Sequence, residues 1–413
     1  MKAHIVIGAN FGDEGKGHIV NYLSSENTLV VKFNGGAQAA HRVVLNDGRE
    51  HVFHHFGAGS LKGARTLFGS HFIVNPLIFM KELDALKDKA VLRPVFIDPR
   101  CRLTTPYDML INEYLSYSKG RHDTVGIGIN ETVERSLFHD LRVSMKDVME
   151  KSEAQLKIVL DKIGNEYLPY RLKSLSVDSH AFLRFAAKHG DPDSWDETFL
   201  TLAKWIAKRS AVYPEEEAMQ AFLKKDYRRD IVFEGGQGLL LDQNRKEFFP
   251  YLTRSSTGLR NTLQPLRLFT AQLDLTVHLV SRAYLTRHGS GSLWDEISGV
   301  PYPGVTEPTN PENEHQGKMR YAYLHPEWIQ RALLETEAAL LKGMPKCVYD
   351  SRVQYDVTCL DQLDGYEPQE PLRSLAKVGD GHNSERIGTL FPKIGLYSER
   401  YSEGGIVEAK VKV

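Results

Sequence analysis

Three observations predict an α/β fold with a large, mostly parallel central β-sheet flanked by helices. Short, uninterrupted apolar runs recur along the chain, glycine clusters follow several of them, and longer helical patterns lie between. Runs without polar alternation suggest parallel strands covered on both faces. Residues 3–7 (AHIVI), 28–33 (TLVVKF), 95–97 (VFI), 231–233 (IVF), 275–280 (LTVHLV) and 353–360 (VQYDVTCL) are the strand candidates. Residues 77–87 read as a helix. Residues 145–225, rich in Lys, Glu and Ala, read as a mostly helical insertion within one domain spanning 1–413. Pro301, Pro303, Pro308 and Pro311 mark an irregular loop.

The chain has 413 residues, 41% of them apolar and 25% charged, which is the composition of a globular protein with a sizeable core. Lys plus Arg number 52 against 53 Asp plus Glu, a formal charge of -1. That balance argues against a generally basic nucleic-acid binder and leaves room for a local anion site. No run of 18 apolar residues suggests a membrane span. The first residues enter a strand and a glycine-rich loop at once, so no signal peptide is expected. Cys101, Cys347 and Cys359 are few and scattered, which fits a reducing cytoplasm better than a disulfide framework.

The strongest local pattern follows the first strand: Gly8-Ala-Asn-Phe-Gly12-Asp13-Glu14-Gly15-Lys16-Gly17 and then a helical pattern. A glycine-rich turn entering a helix presents backbone N–H groups and the positive helix end to an anion. Six residues separate Gly8 from Gly15, and Gly17 stands where a P-loop carries its magnesium-binding hydroxyl. A standard P-loop ATPase is therefore a poor match. Asp13 repels phosphate, so a carboxylate here makes sense as a base, a magnesium ligand or both. A second cluster, Asn34-Gly35-Gly36-Ala37-Gln38-Ala39-Ala40-His41, lets backbone approach a ligand and ends on a histidine suited to general-acid or phosphate-contact work.

These residues resemble the adenylosuccinate synthetase family. GDEGKG at 12–17, then NGG and AH ending at His41, is similar to the family's G-D-E-G-K-G and G-G-N-N-A-G-H. FEGGQGLLLD at 233–242, FPYLTRSST at 249–257 and AYLTRHGSG at 283–291 resemble three further family motifs, and GIG at 126–128 followed by Arg135 resembles a fourth. The order is kept from residue 4 to about 297, with a looser continuation.

The resemblance implies a ligase. The 6-oxygen of a purine nucleoside monophosphate is phosphorylated by a nucleoside triphosphate, and the amine of L-aspartate then displaces that phosphate. Asp13 would remove the N1 proton, His41 would donate to the transferring phosphoryl group, Lys16 would neutralise it, and Gln237 would contact the purine. Nucleotide contacts would come from Gly12, Glu14, Gly15, Gly17, Gln38, Thr253 and Asp361, and from Arg135 of the partner in a homodimer. Mg²⁺ would be held by Asp13, phosphate oxygens and the Ala40 carbonyl. Lys318 and Arg320 would hold aspartate. Phosphoryl transfer needs such positioning and charge neutralisation more than covalent chemistry. The implied small-molecule partners leave no role for nucleic acid or membrane.

Some positions depart from the family pattern. Cys359 replaces a lysine that lies over the donor's base, the segment after Gly365 is short, and Tyr397 stands where glycine is expected. All three bear on GTP preference. Lys318 replaces an arginine, losing a bidentate fork. His288 stands where a small apolar residue usually lines the purine pocket. Phage enzymes of this superfamily act on dGMP to make 2-aminoadenylosuccinate, with a small residue in place of the loop aspartate; Asp13 is kept here, which favours IMP. A non-catalytic nucleotide binder is a third reading, opposed by the joint presence of Asp13, Lys16, His41 and Gln237. In HVFHH, strand alternation puts His51 and His55 on one face and His54 on the other, a spacing that fits no common zinc pattern.

Overall fold

A computed structural model describes residues 1–119, 126–226, 228–307, 317–359 and 362, with the backbone of the strands Gly395–Arg400 and Val407–Lys412. The architecture is α/β. Ten strands form one sheet in the order Gly395–Arg400, Val407–Lys412, Val348–Thr358, Leu273–Arg282, Lys2–Gly8, Asp230–Gly238, Thr28–Lys32, Arg65–Phe68, Phe96–Ile97, Ala211–Val212. The strands from Val348–Thr358 onward in that order pair in parallel. The two strands beyond Val348–Thr358 are antiparallel. All six strand candidates lie in this sheet. Arg65–Phe68, Ala211–Val212, Gly395–Arg400 and Val407–Lys412 are additions that the sequence reading did not contain.

Alternation along the first strand divides two cores. Ala3, Ile5 and Ile7 face one cluster with Leu29, Val31, Phe233 and Val277, while Val6 faces another with Val30, Val232 and Val280. Burying each such side chain contributes about 1.5–3 kcal/mol. The helix Pro76–Leu86 matches the expected 77–87, and begins with Asn75, whose side chain accepts from Ile78 N–H at 3.2 Å. Residues 145–225 are mostly helical, from Met145–Glu150 through Pro192–Arg209 to Glu215–Leu223, interrupted by the strand Ala211–Val212. Two of these helices start with capping boxes at Ser144 and Ser152. Among the described residues no helix is long and apolar enough to cross a membrane. The three cysteines form no disulfide.

Arg135 ends the helix Ile129–Arg135 and is wholly buried within its own chain. Its guanidinium donates to Asp108 at 2.7–3.2 Å, to the Leu141 carbonyl at 2.6 Å and to the Leu103 carbonyl at 2.9 Å. Arg135, expected to reach a partner's nucleotide, is in this chain an enclosed group that binds Asp108 and two carbonyls. Arg135→Lys should lower unfolding free energy by about 1–3 kcal/mol, since one ammonium cannot serve a carboxylate and two carbonyls and leaves a buried acceptor unpaired. Urea unfolding measures this; an unchanged midpoint would contradict it.

The histidine run behaves as alternation requires. His51 and His55 both face the Glu82 carboxylate, each 3.6 Å away, while the His54 ring bonds the Ala37 carbonyl at 2.8 Å. Glu82 also accepts the backbone N–H groups of His54, His55 and Phe56. Burial opposes its ionisation, but the facing His51 and His55 rings and the backbone N–H groups outweigh it and hold its pKa well below the usual carboxylate range. The cluster is a structural clasp.

Candidate active site

The central strands are parallel, so their carboxyl ends lie along one edge of the sheet, the usual ligand position in such folds. The Lys2–Gly8 strand delivers the loop 8–17 there. The loop turns through left-handed backbone at Gly12 (φ 101°), Asp13 (φ 59°) and Gly15 (φ 90°), and Lys16 then opens the helix Lys16–Leu23. Aspartate tolerates that conformation better than most side chains. It leaves the Asp13 carboxylate 31% exposed, 3.7 Å from the His288 ring. The Arg282 side chain donates to the Asp13 carbonyl, and the Thr358 hydroxyl donates to the Glu14 carbonyl at 2.6 Å. Both contacts fix the loop from neighbouring strands.

Glu14 takes an inward role. Its carboxylate accepts the N–H groups of Asn10 at 3.1 Å and Gly12 at 2.8 Å and pairs with the Lys16 ammonium at 2.5 Å. A Cβ on Gly8 would lie 2.2 Å from that carboxylate, so only glycine fits. With 1% exposure, Glu14 braces the loop from inside.

The strand Thr28–Lys32 delivers the second loop. His41 begins the strand His41–Val44 and packs against Gly17, where a Cβ would come within 2.9 Å of its own. Its Nδ1 lies 2.5 Å from Glu234, while its buried Nε2 has no hydrogen-bond partner among the described residues. Glu234 also takes the Lys32 ammonium at 2.9 Å and the Ala58 N–H at 2.9 Å. Burial would raise the Glu234 pKa, but the Lys32 charge and the His41 hydrogen bond overcome it and hold the value down to about 2. Burial lowers the His41 pKa, against the raising effect of Glu234. The result is a histidine aimed by a charged carboxylate, with one nitrogen free for a ligand.

The amide of Gln38 is also buried, with no hydrogen-bond partner among the described residues. Gln237 approaches Gly12, where a Cβ would lie 3.7 Å from its amide oxygen. Thr253 lies in a loop tied to the second cluster, with Ser255 accepting the Gly35 N–H at 3.3 Å and Ser256 accepting Asn34 at 2.9 Å. The structure thus brings together Gly12, Asp13, Gly15, Lys16, Gly17, Gln38, Ala40, His41, Gln237 and Thr253. Lys32 and Glu234 belong to the same site and were absent from the candidate set. Their signal was two opposite charges near the ends of adjacent buried strands, in register as partners.

Lys318 is exposed. Arg320 donates to the carbonyls of Gly289 and Gly291 at 3.0 and 2.8 Å and pairs with Glu296, so a carboxylate ligand would have to replace that pair. Asp361 lies outside the described residues.

The oxygen donors Asp13 and Ala40, completed by phosphate oxygens and water, suit Mg²⁺, which prefers hard oxygen ligands and keeps several waters. A separate cluster of three side chains that could hold a metal, Asp98, Glu215 and Glu216, occurs among the described residues. Arg100 pairs with Asp98 at 2.6 Å and Glu216 at 3.2 Å, and the Ser70 hydroxyl donates to Glu215 at 2.7 Å. Burial pushes the Glu215 pKa up to about 7.

Comparison with known proteins agrees with this layout. A family model described as adenylosuccinate synthetase matches residues 5–316. The adenylosuccinate synthetase of Borrelia duttonii (strain Ly) is 27% identical over 301 residues, covering 72% of this chain and 65% of that protein. That of Borrelia turicatae (strain 91E135) is 30% identical over 314 residues, covering 72% and 66%. The chain therefore spans slightly less than two thirds of the length of these curated relatives. The fully ligated adenylosuccinate synthetase from Plasmodium falciparum superposes with a TM-score of 0.66 at 19% identity, covering 88% of this chain and 78% of that one, a likeness of fold. With the family model spanning the phosphate loop, the aimed histidine and the glycine-rich strand end alike, the chain belongs to the adenylosuccinate synthetase family.

Proposed function

We propose that the protein joins L-aspartate to C6 of a purine nucleoside monophosphate, IMP by preference, through a 6-phosphoryl intermediate formed at the expense of a nucleoside triphosphate. The observation that carries this reading is the pairing of two differently prepared groups in one crevice. Asp13 presents an ionisable carboxylate at the crest of the loop, and His41 presents a free nitrogen held by Glu234. A lactam oxygen is a poor nucleophile until its N1–H is removed, which is the role of Asp13. The transferring phosphoryl group needs charge neutralisation and fixed donors, the roles of Lys16 and His41. Gln38 and Gln237 offer neutral polar groups to the nucleotide. Bound Mg²⁺ would neutralise phosphate charge beside Asp13 and Ala40. The retained carboxylate fills space beside N1 and favours IMP over a 2-amino acceptor. A homodimer in the cytoplasm belongs to the same proposal.

The test is a matrix of IMP, dIMP, GMP and dGMP, each with ATP, dATP and GTP plus aspartate, read as adenylosuccinate-type product by mass. No aspartate-dependent product with any acceptor would refute the proposal.

Donor choice is the finer question. Cys359 and Tyr397 weaken the base-reading side, whereas Asp361 would favour guanine. A lost bidentate base contact is worth about 1–3 kcal/mol. ATP or dATP should therefore support turnover within about tenfold of GTP. Measuring kcat/KM for each donor at saturating IMP and aspartate checks this, and a GTP preference above about a thousandfold would contradict it.

A further inference from the structure

His288 follows the strand Tyr284–Arg287 and projects into the crevice beside the phosphate loop. Its side chain is 14% exposed, and both ring nitrogens are buried with no hydrogen-bond partner among the described residues. An imidazole has a polar atom on each side, and leaving both unmet is unfavourable unless a ligand or a catalytic partner completes them. The nearest candidate is Asp13, whose Oδ2 lies 3.7 Å from His288 Nε2, just beyond hydrogen-bond length.

The main chain behind each partner is held. Arg320 donates to the carbonyls of Gly289 and Gly291, and Arg287 donates to the Ser292 carbonyl at 2.6 Å and the Tyr251 carbonyl at 3.3 Å. On the other side, Arg282 donates to the Asp13 carbonyl. Two fixed backbones thus face each other with only the side chains free to move. Hydrogen bonds of catalytic groups are often long before the substrate binds and tighten in the complex.

We propose that His288 is a positioning residue for Asp13. Its Nε2–H takes Oδ2 as the acceptor nucleotide closes the gap, which holds Oδ1 toward the purine N1 proton. The inference rests on the proposed role of Asp13 as base. A base misplaced by about 1 Å costs on the order of a hundredfold in rate.

The experiment uses the full chain with IMP, aspartate and GTP. His288→Val should lower kcat about tenfold to a hundredfold. KM for IMP should change less than about threefold, because His288 acts on the orientation of Asp13 and not on the hold on the nucleotide. IMP affinity by calorimetry and the melting temperature should stay near wild type. His288→Asn keeps an N–H donor and should recover much of the loss. Wild-type kcat in His288→Val, or a raised KM at unchanged kcat, would overturn the proposal, as would failure of the asparagine variant to exceed the valine variant when both are folded. Asp13→Ala measured alongside separates the two ideas. Full turnover there ends the base assignment, whereas loss there with normal kcat in His288→Val ends only the positioning role.

Discussion

Asp13→Ala should lower turnover by about 10²-fold or more while nucleotide affinity stays within a few-fold of wild type, because general-base catalysis is lost and binding contacts are not. The expectation follows from the loop's construction. A site that only bound phosphate would gain nothing from a carboxylate at its crest, yet Asp13 is held there in left-handed backbone at φ 59°. Alanine is less comfortable in that conformation than aspartate. Asp13→Asn is therefore the sharper variant, since asparagine accepts the same backbone and nearly the same volume but cannot take a proton. Both variants should fall together in kcat. Steady-state rates with IMP, aspartate and GTP, beside calorimetric binding of IMP, decide the matter. Near-normal turnover in the asparagine variant would remove Asp13 from the chemistry.

The second large effect belongs to Glu234, and here stability and catalysis separate. Glu234→Gln leaves the Lys32 ammonium buried without its counter-charge, and Lys32 and Glu234 are both 0% exposed. Breaking one side of a buried ion pair typically costs about 3–5 kcal/mol. The same change weakens the hydrogen bond that aims His41, so kcat should also fall roughly tenfold to a hundredfold, within the range general acids contribute. The double variant Lys32→Met with Glu234→Gln removes the unpaired charge. It should recover much of the stability and none of the rate. Recovery of both would show that His41 does not depend on Glu234. Acid titration gives a further check. The folded-state pKa of Glu234, about 2, lies below its ordinary 4.5. Its stabilisation is therefore full above pH 4.5 and is lost as pH falls from there toward 2. Glu234→Gln should flatten that part of the stability curve.

Much of the fold was legible because apolar runs and glycines sit where parallel strands begin and end. Arg65–Phe68 was not, since RTLF is short, opens on a charge and lacks a β-branched run. Ala211–Val212 is only two residues long at the sheet edge. The phosphate loop and His41 were legible from local sequence, because their chemistry is local. Glu234 and Lys32 were harder to assign, because each looks like an isolated charge until strand register sets them side by side. Glu14 and Arg135 show the converse limit. A motif gives residue type and spacing but not direction. Glu14 turns into its own loop, and Arg135 finds Asp108, 27 positions earlier.

The Thr358 hydroxyl on the Glu14 carbonyl joins residues 344 positions apart. The first strand also lies between Asp230–Gly238 and Leu273–Arg282, so the beginning of the chain occupies the middle of the sheet. During synthesis at about 5–20 residues per second, that apolar strand waits on the order of tens of seconds for either neighbour. The phosphate loop acquires its last brace only after residue 358 has left the ribosome. A nascent chain therefore carries an unfinished phosphate loop and two open strand edges until those later strands emerge, a period in which its amino-terminal half is exposed to edge pairing.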